Sequence, residues 1–317
     1  MSEKKNKKDF ESELITKLIE KDLSESSISY YMRNLRKLNN DKELTTLNFL
    51  NDKEKVVEYL KDKKPNTQRN YYITITSILG TEPKRKELKK YYTEKMDNMN
   101  TDLKQKESAN KKTDTQKANW IEESKIKEIY NNLKKEVVKF EKQKNLSENK
   151  YNILLDYVVL SLYTLIPPRR NKDYQDAYMV YGISDKEFDA DYNYIDMQNK
   201  KLIFNNFKTK KKEGAQHFDI PADLYDVLMI YKKHHPLLEE KDKEFEVPFL
   251  VNFEGIPLSN VNSLTYILNG IFKKKIGCSM LRHLYLSNKY GNTVDEQEKD
   301  AKMMAHSGSM QKDYIKK

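Results

Sequence analysis

Through the first hundred positions apolar residues recur at helical spacing, with no strand-like alternation. Leu14, Leu18 and Ile19 form one stripe, and Ile28, Tyr31, Leu35 and Leu38 form a second behind the serines at 24, 26 and 27. Asn51 or Asp52 suits the cap of a third helix carrying Val56, Val57 and Leu60. Asn66 or Thr67 suits the cap of a fourth carrying Tyr71, Ile75, Ile78 and Leu79 before Gly80. The pattern predicts a four-helix unit.

From Thr81 the signal weakens, and residues 98 to 118 offer almost nothing to bury, which predicts a linker. Trp120 and Ile121 restart the apolar pattern, and Ile126, Ile129, Tyr130 and Leu133 make a helix face. Residues 151 to 166 are the most apolar stretch and predict a buried helix, stopped by Pro167 and Pro168 ahead of a loop with Arg169 and Arg170. Tyr192, Tyr194 and Ile195, then Leu202, Ile203 and Phe204, then His217, Phe218 and Ile220 predict three short strands in a small antiparallel sheet. Residues 224 to 231, 262 to 272 and 279 to 290 read as helices. The expectation is a mainly α chain: a helical domain at 1–97, a linker at 98–118, and an α-rich domain with a small sheet at 119–317.

Composition narrows the partners. The net charge is +10 and the pI about 9.1, which favours a polyanion such as double-stranded DNA. The competing reading is codon bias toward Lys, with Lys and Glu paired on solvated helix faces. Cys278 is the only cysteine, so an intramolecular disulfide and Cys-based zinc sites are excluded. The first eight residues are charged, and no run supplies the roughly 18 apolar residues of a membrane span, so no membrane association and an intracellular location are expected.

Four short pieces carry the candidate chemistry. They are residues 169 to 174 (Arg-Arg-Asn-Lys-Asp-Tyr), 208 to 210 (Lys-Thr-Lys), 281 to 283 (Leu-Arg-His) and 305 to 306 (Ala-His), with Tyr314 eight residues on. Arginine is scarce, since only 7 of the 59 basic residues are Arg, and three of those seven lie in these pieces. A planar guanidinium donates two parallel hydrogen bonds to one phosphate, which lysine cannot reproduce. The competing reading places these arginines in buried ion pairs, for instance Arg170 with Asp173.

In order and spacing the pieces resemble those of tyrosine recombinases and integrases. Arg170 through Tyr174 is similar to the family's Arg-x-x-Glu followed by an apolar residue, with Asp173 for Glu; Arg169 is the alternative first arginine. Lys208, on an expected β-hairpin, is similar to the family's lysine, with Lys210, Lys211 and Lys212 competing. Ser279-Met280-Leu281-Arg282-His283 resembles His-x-Leu-Arg-His with Ser279 in place of the first histidine. Ala305-His306-Ser307 resembles Gly-His-Ser ahead of the nucleophile, Tyr314.

The resemblance implies a helical clamp on DNA and an α-rich catalytic domain. It implies that Tyr314 attacks a phosphate to give a 3′-phosphotyrosyl link and a free 5′-hydroxyl, with Arg170 and Arg282 binding the phosphate. Lys208 would be the general acid, and His306 would bond the phosphate or assist proton movement. No metal or cofactor is required. Arg169, Lys210, Ser279, Arg69 and Lys84 are candidate DNA contacts. The chain ends three residues after Tyr314, short of the segment many members use to join protomers. A monomer or weak oligomer without DNA and a tetramer on DNA are expected. The implied setting is a mobile element or virus acting in a nucleus, a cytoplasmic virus factory or a virion. A type IB topoisomerase-like enzyme and a non-catalytic DNA-binding protein are the alternatives.

Overall fold

The structure, a computed structural model, describes residues 8–108, 112–184, 188–239, 241–260 and 262–303. The chain divides into two compact units, residues 1–111 and 112–317. Among the described residues no helix is long and apolar enough to cross a membrane.

The first unit contains helices α1 (Lys8–Ile19), α2 (Glu25–Leu38), α3 (Lys53–Leu60), α4 (Pro65–Leu79) and α5 (Lys86–Ser108). Ser24 caps α2 by accepting from Ser27 N, and Asp52 caps α3 by accepting from Lys55 N at 3.0 Å. The expected cap of α4 at Asn66 or Thr67 is corrected: the helix starts at Pro65, whose missing N–H costs nothing at a first position. Ile19 is solvent-exposed, while Leu14 and Leu18 hold α1 on the core.

Among the described residues the predicted four helices become five. Leu88, Tyr91, Tyr92, Met96 and Met99, at spacings of three, one, four and three, lie on one face of α5 and pack on this core. Intervening Lys, Asp and Asn dilute that stripe in the sequence. Tyr92 is fully buried and donates its hydroxyl to the Leu50 carbonyl at 2.8 Å. Residues 98–118, read as linker, contain the last turns of α5 and all but the last residue of α6 (Asp114–Asn119), which opens with a Thr113–Gln116 capping box.

The second unit continues with α7 (Glu123–Val138), α8 (Glu148–Thr164), the short α9 (Asn171–Gln175), β1 (Ala177–Tyr181), β2 (Asn193–Asp196), β3 (Lys201–Phe204), α10 (Lys210–Glu213), β4 (Gln216–Asp219), α11 (Ala222–Lys233), β5 (Phe245–Pro248), α12 (Ser263–Phe272) and α13 (Cys278–Met303). Helix α8 is buried nearly all round and is the axis of the core, in contact with α7, α11 and α12. The sheet order is β4-β3-β2-β1-β5.

Expectation of a three-stranded antiparallel sheet is corrected to five strands, of which β1 and β2 run parallel and the other neighbours antiparallel. β1 follows α9 after a single residue, with no turn signal to announce it. β5 ends in Pro248 and lies at the sheet edge, where a missing donor is tolerated. β3 and β4 form a hairpin whose connection carries residues 205 to 215.

Candidate active site

Pro167 and Pro168 end the run out of α8, and the chain turns through Arg169 and Arg170 into α9, with Arg170 as its N-cap residue. This turn is fastened to three other elements. Tyr163 of α8 donates to Asn171 Oδ1 at 2.7 Å, and Asn171 Nδ2 donates to Thr265 Oγ1 of α12 at 3.0 Å. Arg282 of α13 donates its Nε–H to the Pro168 carbonyl at 3.0 Å.

Asp173 lies at the centre of these groups, with its side chain 4% exposed. Burial pushes its carboxyl above the usual range, against the opposing pull of Arg169, Arg170 and Arg282. The same surroundings drive the Tyr163 phenol well above its ordinary value, with burial the leading cause. One carboxylate thus faces three guanidinium groups, leaving net positive charge where the turn meets α13.

The expected pairing of Arg170 with Asp173 is corrected, because Arg169 makes the ion pair, Nε to Oδ2, at 2.9 Å. Residues four apart face each other along a helix start, and here the inward side chain is that of Arg169. Arg170 is half-buried; its carbonyl accepts from Asp173 N at 3.0 Å, and its guanidinium makes no hydrogen bond or ion pair to any described residue. Arg282 is half-buried, and its only side-chain hydrogen bond among the described residues uses Nε, so neither terminal amino group has a described partner. Ser279 is exposed one helical turn before Arg282, on the same side of α13, and His283 is exposed.

Lys208 is exposed in the β3–β4 connection and has no partner among the described residues. Lys210, its neighbour and a candidate DNA contact, donates to the Ala190 carbonyl at 2.9 Å, and Lys212 pairs with Glu213 at 3.7 Å. The connection is tied to the arginine turn by Asn193 of β2. Its Nδ2 donates to the Asp173 carbonyl at 3.0 Å and the Asn206 carbonyl at 2.9 Å, while Asn206 N–H donates back to Asn193 Oδ1 at 2.8 Å. His306 and Tyr314 lie outside the described residues.

In the first unit Arg69 donates its Nε–H to Asn100 of α5, whereas Lys84 is exposed and without a described partner. Among the described residues no group of three or more His, Cys, Asp or Glu side chains is placed to hold a metal ion.

The sequence reading did not single out Asn193, Phe204 or Gln216. Asn193 and Gln216 reach across distances that no local motif encodes, and Phe204 reads simply as a strand residue. The four-residue spacing from Arg169 to Asp173 was a usable signal.

No protein-family model, characterised protein or solved structure matches the chain.

Proposed function

We propose that this chain is a site-specific DNA recombinase or integrase that cleaves and rejoins strands through a 3′-phosphotyrosyl intermediate. The observation that carries the reading is the convergence of Arg170 and Arg282 from two distant segments around Asp173, with the Lys208-bearing connection fastened to the same turn. Two guanidinium groups with donors that no described residue takes suit a phosphate whose nonbridging oxygens gain charge as it is attacked.

In this reading the Tyr314 hydroxyl oxygen bonds to phosphorus, its proton passing to His306 or water, and the bond to the 5′-oxygen breaks. Lys208 gives that oxygen a proton. A 5′-hydroxyl from another strand then reverses the step, so the phosphodiester energy is retained. The partner is duplex DNA, on which four copies assemble.

A library of nicked duplexes, incubated with the protein and captured by covalent attachment, tests this. Recovered adducts with one shared sequence, lost in Tyr314→Phe, are the expected result. Adducts that persist in that variant, or none from the unaltered protein, would defeat the proposal. Relaxation of a supercoiled plasmid lacking the recovered sequence would instead identify a topoisomerase.

A further inference from the structure

Arg169 stands beside the arginine turn but points inward. Its Nε–H donates to Asp173 at 2.9 Å and its Nη1–H to Gln216 Oε1 of β4 at 2.9 Å. The guanidinium carbon lies 3.7 Å from the ring centre of Phe204 in β3 and 5.1 Å from that of Phe207 in the β3–β4 connection. The side chain is only 18% exposed. One residue therefore grips α9, both strands of the hairpin and the connection between them.

This grip ends one position short of Lys208. Together with Asn193, which holds the Asp173 and Asn206 carbonyls, it makes two cross-links between the turn bearing Arg170 and the connection bearing Lys208. Only a guanidinium supplies two in-plane donors and a flat face for an aromatic ring at once; an ammonium supplies a point charge.

We infer that Arg169 is a positioning residue that sets the lysine-bearing connection against the arginine-bearing turn, and not a phosphate contact. The inference rests on the strand-transfer reading above. Its consequence falls on one step. When the bond from phosphorus to the 5′-oxygen breaks, that oxygen must take a proton from Lys208, and displacement of a catalytic group by about 1 Å costs on the order of a hundredfold. If the bridging atom is sulfur, it departs as a thiolate and needs no proton.

The test compares two nicked duplexes of the captured sequence, identical except that one carries oxygen and the other sulfur at the bridging 5′ position. Adduct formation is timed in a single turnover for the unaltered protein, Arg169→Lys, Gln216→Ala and, as reference, Lys208→Ala. Gln216 lies on an edge strand and is half-exposed, so Gln216→Ala releases the β4 contact of the grip while leaving the Arg169–Asp173 pair and the Phe204 stacking in place.

On oxygen, Gln216→Ala should slow about tenfold and Arg169→Lys about a hundredfold, within the range for misplaced proton donors. On sulfur both should recover to within about threefold of the unaltered protein, as Lys208→Ala does. Equal slowing on both duplexes, or unchanged rates on both, would overturn the inference while leaving the strand-transfer reading standing. Failure of the unaltered protein to form an adduct on either duplex would overturn both.

Discussion

The Nε–H of Arg282 is spent on the Pro168 carbonyl, 3.0 Å away, so a helix late in the chain is clipped to the turn that presents Arg170. The bond uses one guanidinium donor and leaves the two terminal amino groups without a partner among the described residues. A lysine at this place keeps the charge and loses both the clip and the fork.

Arg282→Lys is therefore expected to slow covalent adduct formation by about 10²- to 10³-fold, the cost of removing a preorganised donor from a charged transition state. Binding to the captured duplex should weaken far less, because the positive charge remains. Single-turnover adduct formation and a binding titration at fixed salt, run side by side, check this. A loss in binding as large as the loss in rate would mean that Arg282 serves affinity alone.

The lysines of the β3–β4 connection should separate in the same assay. Lys210 is committed to the Ala190 carbonyl, whereas Lys208 has no described partner. Lys208→Ala is expected to reduce cleavage by about 10²- to 10⁴-fold, as for loss of a general acid. Lys210→Ala should change the rate by less than about fivefold, since it serves the loop and not the proton. The reverse order would move the role to Lys210.

Helices α1 to α4, α7, α11 and α12 were legible because each needs one apolar stripe at a local period, and the sequence states that period directly; α8 was legible as a long apolar run. Helix α5 was not, because its stripe runs through Lys, Asp and Asn that face solvent. β1 and β5 were missed for a different reason: a five-residue parallel strand and a proline-ended edge strand are selected by neighbours far along the chain. The site divides the same way. Scarcity picked out the arginines, but that Arg169 turns inward depends on Phe204 and Gln216, which are remote in sequence.

Tyr92 tests whether α5 belongs to the first unit's core. Its ring is fully buried among Tyr72 and Tyr91, and its hydroxyl satisfies the Leu50 carbonyl. Tyr92→Ala should lower unfolding free energy by about 3–5 kcal/mol, as for other buried aromatics. Tyr92→Phe should cost about 1–2 kcal/mol for the stranded carbonyl. Urea unfolding of both variants measures the two parts.

Asp156 is half-buried on α8, its carboxyl makes no hydrogen bond to a described residue, and burial pushes that carboxyl up to about 6, with Lys273 the opposing charge. The folded protein therefore holds this proton more tightly than the unfolded chain, so stability falls as pH rises from about 4 to 6. Allowing for residual solvent, the ionised group costs roughly 2 kcal/mol above that window. Asp156→Asn should gain about that much at pH 7.5 and nothing at pH 3.5. Chemical unfolding at the two pH values decides it; an equal gain at both would assign the effect to packing.

His235 pulls the other way. It is buried beside Tyr231, with Nε2 3.0 Å from the Pro248 carbonyl and Nδ1 accepting from Leu237 N at 3.3 Å, so the neutral ring with its proton on Nε2 meets both partners. Burial lowers its pKa to about 4. Above about 6.5 the ring is neutral in both folded and unfolded chains; as pH falls from there to about 4, only the unfolded chain gains the proton, and stability drops by roughly 3 kcal/mol. Over much of this interval Asp156 has the opposite slope and masks the loss. In Asp156→Asn the His235 slope is exposed, so the melting temperature of that variant should fall more steeply between pH 6.5 and 4.5 than that of the unaltered protein. Adding His235→Gln, which keeps a donor near the Pro248 carbonyl but does not titrate, should flatten the slope. A slope unchanged by the second substitution would assign the acid sensitivity to other groups.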